Sequence, residues 1–252
     1  MSKKILERFL IVLAFALLWV PLGQQNFLYE HWMKLGIFMM PFLAFLAISF
    51  EPKFGSFRRP DPKLIALILL CIYIVHQFEE HWIDLYGNHY AFQGSINELV
   101  KTISGSESER EGPLTIEAIF VINTSLVWLV GTIAIMAAPQ NVFPTLAMIA
   151  ITLTNGLVHI ASAIVQLAYN PGLLTSLLLF LPMSWIAFRV IPARRSQKVL
   201  ALAWAALAHI LMALGMMAST WWGVISPQIF YISLIAWSLL PLLFTDPRRT
   251  II

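Results

Sequence analysis

Charged residues are scarce in this sequence. Asp, Glu, Lys and Arg make up 12% of the 252 residues, whereas 59% are hydrophobic and the mean hydropathy is +0.79. Soluble domains contain about 25% charged residues, so this chain has too little polar surface to cover a water-soluble globule. The composition therefore excludes a soluble domain and indicates an integral membrane protein.

Cysteine is almost absent as well. The single Cys71 lies inside an apolar run, which excludes a disulfide framework and a cysteine-ligated zinc site. The net charge is +3 and the pI is near 9.1, but Lys and Arg stand in short tracts between apolar stretches. That pattern is typical of membrane topology, and we expect no nucleic-acid partner.

Apolar stretches run along nearly the whole chain. A spanning helix needs about 20 mostly apolar residues, and eight segments meet or nearly meet this length. We predict one all-α domain over 1–252, a polytopic bundle of about eight transmembrane helices surrounded by membrane lipids. The predicted segments are 5–22, 33–50, 64–86, 114–137, 144–168, 172–191, 199–218 and 228–245.

The N-terminus and the longest connection need separate predictions. The N-terminus mimics a signal peptide, but the PLGQQ stretch after its apolar run lacks a small-x-small cleavage site, so a retained first helix is predicted. The longest connection, 87–113, is predicted to be an outer loop with a mobile polar part. Ser95 to Thr102 within it has the pattern of a short surface helix, with Ser95 as N-cap and Glu98 three residues later.

The basic residues predict the orientation of the bundle. With eight spans and a cytoplasmic N-terminus, most of the 16 Lys and Arg fall on the cytoplasmic side, and only Lys34, Lys101 and Arg110 fall outside. The positive-inside rule favours this arrangement. We therefore predict a multi-pass inner-membrane protein with both termini in the cytoplasm.

A small set of polar residues interrupts the predicted spans. A charge at the bilayer centre costs about 2.5–3.5 kcal/mol, so such residues are retained for pairing, transport or chemistry. At a rise of about 1.5 Å per residue they fall in one layer between the midplane and the outer leaflet. The set comprises His76, Glu79, Glu80 and His81 on the third segment, Glu117 and Asn123 on the fourth, Asn155 and His159 on the fifth, and His209 on the seventh.

The spacing within this set points to a metal site. His76, Glu79 and Glu80 stand at i, i+3 and i+4 and therefore share one helix face. Imidazole and carboxylate groups are ligands that zinc and iron prefer. We predict one divalent metal, zinc or iron, with Glu117 or His209 as the fourth ligand. The predicted metal ligands are His76, Glu80, His159, Glu117 and His209.

A bound metal would lower the pKa of its water ligand, and Glu79 would accept the proton as general base. Asn155 or Asn123 would donate to the developing oxyanion. The predicted catalytic residues are Glu79, Glu80 and Asn155, and the predicted function is a metal-dependent hydrolase. Its substrate would be a lipid or lipidated molecule that enters from the outer leaflet.

Other interpretations use the same residues. The glutamate pair could activate water without a metal, the cluster could serve a proton-coupled transporter, or a polar layer could fix helix packing in a non-catalytic scaffold. His209 could simply bond a neighbouring carbonyl. We expect His81, Asp84 and His89 to be solvated near the outer interface. The oligomeric state is left open.

The ordered motifs resemble a known family. The string from His76 to Glu80, HQFEE, is similar to the pattern of a family of predicted bacterial membrane proteins named for the motif HXXEE. The segment from Asn155 to His159, the segment from Tyr169 to Thr175, and His209 resemble its later blocks. This resemblance implies a polytopic fold and a site, but no known reaction.

A more distant resemblance concerns membrane proteases of the CAAX-prenyl-processing type. They too bury a glutamate pair with histidines and an asparagine on other helices, as Glu79–Glu80, His159, His209 and Asn155 would here. That family expects arginine where this chain has Asp84, and an asparagine four residues after a histidine, whereas Asn155 precedes His159. The resemblance therefore implies only an analogy of chemistry.

Overall fold

The computed structural model describes residues 26–50, 61–104, 112–138 and 140–244, and within these ranges it contains eight helices and no strand. The predicted all-α class is thereby confirmed. The predicted helix 5–22 lies outside the described residues. The helices are α1 (Asn26–Phe50), α2 (Pro62–His81), α3 (Ala91–Ser104), α4 (Ile116–Ala137), α5 (Phe143–Gln166), α6 (Leu173–Val190), α7 (Arg195–Trp221) and α8 (Pro227–Leu242).

Five of the described helices are long and apolar enough to cross a membrane, namely α2, α4, α5, α6 and α7. The helix α8 is apolar but shorter, and α3 has only 14 residues. These lengths are consistent with a membrane protein. The placement of the termini in the cytoplasm stays a prediction.

The helix ends are set by local chemistry. The Asp61 side chain accepts from the Lys63 N–H, and Pro62 occupies the first turn, so α2 begins there. It ends at His81, earlier than the predicted residue 86. The Asp84 carboxylate accepts the backbone N–H groups of Tyr86 and Asn88 at 2.9 and 2.8 Å, which favours a turn over helix continuation.

The surface helix also differs from its prediction at its start. It begins at Ala91, so Ser95 lies inside α3 and the predicted N-cap was wrong. The preceding residue, Tyr90, has a left-handed backbone with φ of 56°. That conformation turns the chain into the helix from the antiparallel bridge between Ile83 and His89.

Helix α5 is the centre of the bundle. The six residues from Leu146 to Ile151 are at most 1% exposed and contact the surrounding helices. Gly156 on the same helix allows α6 to approach closely, because a Cβ there would lie 3.1 Å from Cβ of Phe180. Small residues at such contacts are the usual way for membrane helices to pack.

Three helices contain π-helical turns, at Thr124–Leu129 in α4, Ser176–Phe180 in α6 and Met217–Trp221 in α7. Such turns occur often at functional sites because they redirect side chains. The first begins directly after Asn123 and the second directly after Thr175. Both of these residues contact the polar cluster described next.

Candidate metal centre

Glu80 is the hub of a buried cluster of histidines. Its Oε1 lies 3.2 Å from Nε2 of His159, and its Oε2 lies 2.9 Å from Nε2 of His81 and 3.4 Å from Nε2 of His76. None of the four residues is more than 5% exposed. The prediction that His81 is solvated was therefore wrong.

The cluster forms where three helix ends meet. His76, Glu80 and His81 lie in the last turns of α2, and His159 lies near the end of α5. The connection from α5 to α6 covers both imidazoles. Its Gly172 has φ of +90°, and a Cβ at this position would lie 2.8 Å from Cε1 of both His76 and His159. Only glycine fits this approach without displacing the two rings.

The second nitrogen of each ligand-type histidine is held by a neighbour. Nδ1 of His159 lies 2.7 Å from Oδ1 of Asn170, whose amide N–H₂ donates to the His159 carbonyl. The amide oxygen therefore faces Nδ1, and Nδ1 is the donor. Nδ1 of His76 lies 2.8 Å from Oγ1 of Thr175. Since the Thr175 hydroxyl donates to Glu79, Oγ1 accepts from His76.

Glu79 points away from the cluster and anchors helix α6. Its Oε1 accepts from the Tyr169 hydroxyl at 2.9 Å and from the Leu174 N–H at 3.2 Å. Its Oε2 accepts from the backbone N–H of Thr175 at 2.8 Å and from the Thr175 hydroxyl. A carboxylate at a helix N-terminus is electrostatically favoured. With all four donors engaged, Glu79 is poorly placed to accept a further proton from water.

Tyr169 links this anchor to the loop after α2. Its hydroxyl accepts from the Leu85 N–H at 3.0 Å while it donates to Glu79. Burial, with the Glu79 carboxylate beside it, raises the pKa of Tyr169 well above its usual value. The phenol therefore remains a donor at any physiological pH.

A chain of hydrogen bonds from Trp128 through two side-chain amides determines which nitrogen of His81 carries the proton. The Trp128 indole, which can only donate, binds Oε1 of Gln77 at 2.8 Å, and the Gln77 amide donates to Oδ1 of Asn123 at 3.0 Å. The Asn123 nitrogen then donates to the Ile119 carbonyl at 2.9 Å and to Nε2 of His81 at 3.0 Å. Nε2 of His81 is thus an acceptor.

The hydrogen-bond directions turn the Nε2 lone pairs of the histidines towards the centre of the cluster. A neutral imidazole carries one hydrogen, and in His76, His81 and His159 the contacts place it away from Nε2. Nε2 of His81 accepts from the Asn123 amide. Nε2 of His76 and Nε2 of His159 face the Glu80 carboxylate, so acceptor faces acceptor in both contacts. A cation or added protons between these atoms would satisfy them.

His76, Glu80 and His159 could together hold a metal ion. Their ligand atoms all lie within 4.8 Å of one another, and the three residues are buried. Two ligands of a tetrahedral zinc are separated by about 3.3 Å, given metal–nitrogen distances of roughly 2.0–2.1 Å. Nε2 of His76 lies 3.4 Å from Oε2 of Glu80, and Nε2 of His159 lies 3.2 Å from the other oxygen, Oε1. The Nδ1 contacts supply the outer partners that orient metal-binding histidines.

An apolar cavity of about 120 Å³ lies beside the cluster. Glu80, His159 and Asn155 form part of its wall, and His209 lies on the wall from α7. Most other lining side chains are aliphatic or aromatic and come from α3, α4, α5 and α7. Val158 of α5 lines the cavity and is 43% exposed at the surface of the bundle.

The remaining predicted residues lie at different distances from this centre. Asn155 lines the cavity, and its Nδ2 is 3.4 Å from Nε2 of His76. His209 hydrogen-bonds through Nδ1 to the Ala205 carbonyl at 2.9 Å and does not join the group of ligand atoms. Glu117 lies in the first turn of α4 and neither joins that group nor lines the cavity.

Several contacting residues had no role of their own in the sequence prediction, although Asn170 and Thr175 lie in the segment that resembles a later block of the family. Gln77 and Thr175 could have been noticed as polar residues in apolar segments, but their partners depend on the packing of α4 and α6 against α2. Asn170 stands in an Asn-Pro-Gly turn signal that also predicts a plain loop. His81 was placed wrongly because α2 was predicted to continue to residue 86.

Together, the apolar helices and the buried His/Glu cluster define a helical membrane protein with a site that could hold a metal ion. The model of the family described as "protein of unknown function with HXXEE motif" matches residues 67–187. This match confirms the resemblance found in the sequence, and it spans α2 to α6. Neither the curated proteins nor the solved structures contain a match to the chain, so the analogy to CAAX-type proteases has no support.

Proposed function

We propose that this protein is a membrane-embedded, metal-dependent hydrolase that acts on a lipid or lipidated substrate. The observation that carries the proposal is the convergence of His76, Glu80 and His159, of which Glu80 and His159 line an apolar cavity. Ligands on a cavity wall leave a coordination position open, as catalytic rather than structural sites do. The inner-membrane location and the cytoplasmic N-terminus remain part of the proposal.

The three residues would hold one zinc or iron ion. His76 and His159 would bind through Nε2, because their Nδ1 atoms are held by Thr175 and Asn170. A divalent ion here would supply Lewis-acid chemistry and lower the pKa of a bound water towards about 7. The burial of Glu80 keeps its carboxylate from competing water and strengthens its attraction for the ion.

The residue best placed to accept a proton is His209 rather than Glu79. Both oxygens of Glu79 are hydrogen-bonded to donors of the α5–α6 connection and α6. His209 lines the cavity, and its contact to the Ala205 carbonyl occupies Nδ1. Nε2 is then the unprotonated nitrogen of the neutral ring and has no hydrogen-bond partner among the described residues. An oriented neutral imidazole is the commonest general base.

Asn155 keeps the role of oxyanion donor in the proposal. It lines the same cavity wall as Glu80 and His159, and its amide N–H₂ lies near the cluster. A preorganised donor of this kind contributes about 2.7–4 kcal/mol to transition-state stabilisation. The substrate class follows from the cavity, whose lining is mostly apolar and offers contact area for part of an acyl or prenyl chain. Val158 marks the side from which such a chain would enter.

The function is tested by reconstituting the metal-loaded protein in vesicles of bacterial lipid extract and identifying new products by mass spectrometry. Glu80→Gln is expected to abolish product formation and metal binding, whereas His209→Gln is expected to lower turnover about 100-fold or more with the metal retained. Glu98→Gln on the exposed face of α3 is the matched control. A metal-loaded protein that forms no product from any lipid class would contradict the hydrolase.

A further inference from the structure

A second cavity is lined by His81. It has a volume of about 360 Å³ and shares Phe92 and Ile119 with the first cavity. The lining residues come from the end of α2 and from the starts of α1, α3 and α4. They are Tyr29, Glu30, Trp32, Met33, His81, Tyr90, Phe92, Gln93, Ile116 and Ile119.

We propose that this second cavity binds an organic ammonium group. Four of its lining residues are the aromatic Tyr29, Trp32, Tyr90 and Phe92, and one is the carboxylate Glu30. Aromatic faces attract cations through the ring quadrupole, and cages of Trp and Tyr recognise quaternary ammonium groups. A carboxylate at the rim adds a direct charge attraction. The proposal does not depend on the metal site.

Contacts within the protein hold the wall of the second cavity in one conformation. Tyr90 holds a left-handed backbone conformation, which is uncommon for a residue with a side chain. Its hydroxyl donates to the backbone carbonyl of Glu30 at 3.2 Å and thereby ties the start of α3 to α1. Strained backbone positions of this kind cluster at ligand sites. The ring of Phe92 is in turn packed edge-on against His81, with 4.7 Å between the centroids.

The described lining of the second cavity contains one carboxylate, Glu30, and no lysine or arginine. Lys34 lies beside the cavity, where its Nζ lies over the Trp82 ring at 4.5 Å and over the Tyr90 ring at 5.9 Å and donates to the Tyr90 hydroxyl at 3.4 Å. The indole N–H of Trp32 is buried and has no hydrogen-bond partner among the described residues. A buried donor of this kind calls for an acceptor. An alcohol or phosphate oxygen adjacent to the ammonium would provide one.

The first test is calorimetric titration of choline into the full-length protein in a maltoside detergent, which has no ammonium headgroup. Saturable binding is expected, and the neutral isostere dimethylbutanol is expected not to bind. Glu30→Gln should weaken choline binding at least about fivefold, as expected for loss of one ionic partner of a cation. Glu98→Gln, an exposed carboxylate outside the cavity, should bind choline as the wild type does.

Two further outcomes identify the source of the ammonium. Native mass spectrometry of protein exchanged into lipid mixtures would show retained phosphatidylcholine or phosphatidylethanolamine over phosphatidylglycerol if the ligand is a lipid headgroup. Choline binding without such retention would assign a soluble amine. Equal binding of choline and dimethylbutanol, no binding of either, or unchanged affinity in Glu30→Gln would overturn the proposal.

Discussion

Glu80 and Glu79 are adjacent carboxylates with different surroundings. Glu79 accepts hydrogen bonds from backbone and hydroxyl donors at the start of α6, whereas Glu80 faces the Nε2 atoms of three histidines. Their spacing on α2 predicts a shared side of the helix, but the division of roles depends on where the N-terminus of α6 packs. For that reason the sequence could predict both residues and could not tell the anchor from the ligand.

Replacement of Glu79 tests its role as an anchor. In Glu79→Gln, one carboxylate oxygen becomes an amide N–H₂ that faces donors, so we expect the free energy of unfolding to fall by about 1.5–3 kcal/mol. Titration with a denaturing detergent measures this change. Glu98→Gln should leave stability within about 0.5 kcal/mol of the wild type. If Glu79→Gln abolishes turnover with unchanged stability, the general-base role first predicted for Glu79 is correct after all.

Gly172 gives a second prediction at the scale of the residue. Gly172→Ala would place a Cβ 2.8 Å from both His76 and His159 on a backbone with φ of +90°. We expect a loss of about 1–3 kcal/mol in stability from the backbone strain alone, together with weaker metal binding. Gly94→Ala is the matched control, because nothing lies within 4 Å of its Cβ. Equal effects of the two substitutions would show that Gly172 does not shape the site.

At the scale of the helix, hydrogen-bonded polar side chains join α2 and α4 across an otherwise apolar interface. Trp128 donates to Gln77, and Gln77 donates to Asn123, which reaches His81. Each of these contacts depends on the relative rotation of the two helices, which no pattern in a single sequence specifies. The sequence predicted Asn123 as a polar residue of the layer, and its partners emerged only from the packing.

A double-mutant cycle measures this connection. Trp128→Phe and Gln77→Leu should each lower the free energy of unfolding by about 1–3 kcal/mol, since each leaves a buried polar partner unsatisfied. Both substitutions break the same hydrogen-bond chain. The double variant should therefore be more stable, by about 0.5–3 kcal/mol, than the sum of the two single effects predicts. Trp185→Phe, at a side chain that is 61% exposed, should change little. Additive effects would contradict a coupled network.

At the scale of the whole molecule, the bundle brings the ends of α2 and α5 and the start of α6 to one side. The sequence predicted this common layer from the depths of the polar residues, because two helices that run in the same direction place late residues at the same end. It failed for His81 because a turn at Asp84 ends α2 early, and α1 and α3 then cover the last turn. The position of a turn, and the burial of the residues beside it, depend on tertiary contacts.

The basic tracts predict which side of the membrane this end faces. In a Cys71→Ser background, a cysteine at Ser106 in the acidic stretch is expected to react with a membrane-impermeant maleimide in intact spheroplasts. A cysteine at Ser56 in the basic stretch is expected to react only after lysis, as the positive-inside rule requires. The opposite labelling pattern would place the His/Glu cluster in the cytoplasmic half of the membrane.

The most direct test of the metal centre is elemental analysis of protein purified in mild detergent without chelator. The wild type is expected to contain near-stoichiometric zinc or iron, and the His76→Ala, Glu80→Gln double variant is expected to contain none. Glu98→Gln should retain the wild-type content. A metal-free wild type that takes up no added zinc or iron would contradict the metal centre. The cluster would then consist of imidazolium–carboxylate pairs, as a proton-coupled transporter or a structural polar layer requires.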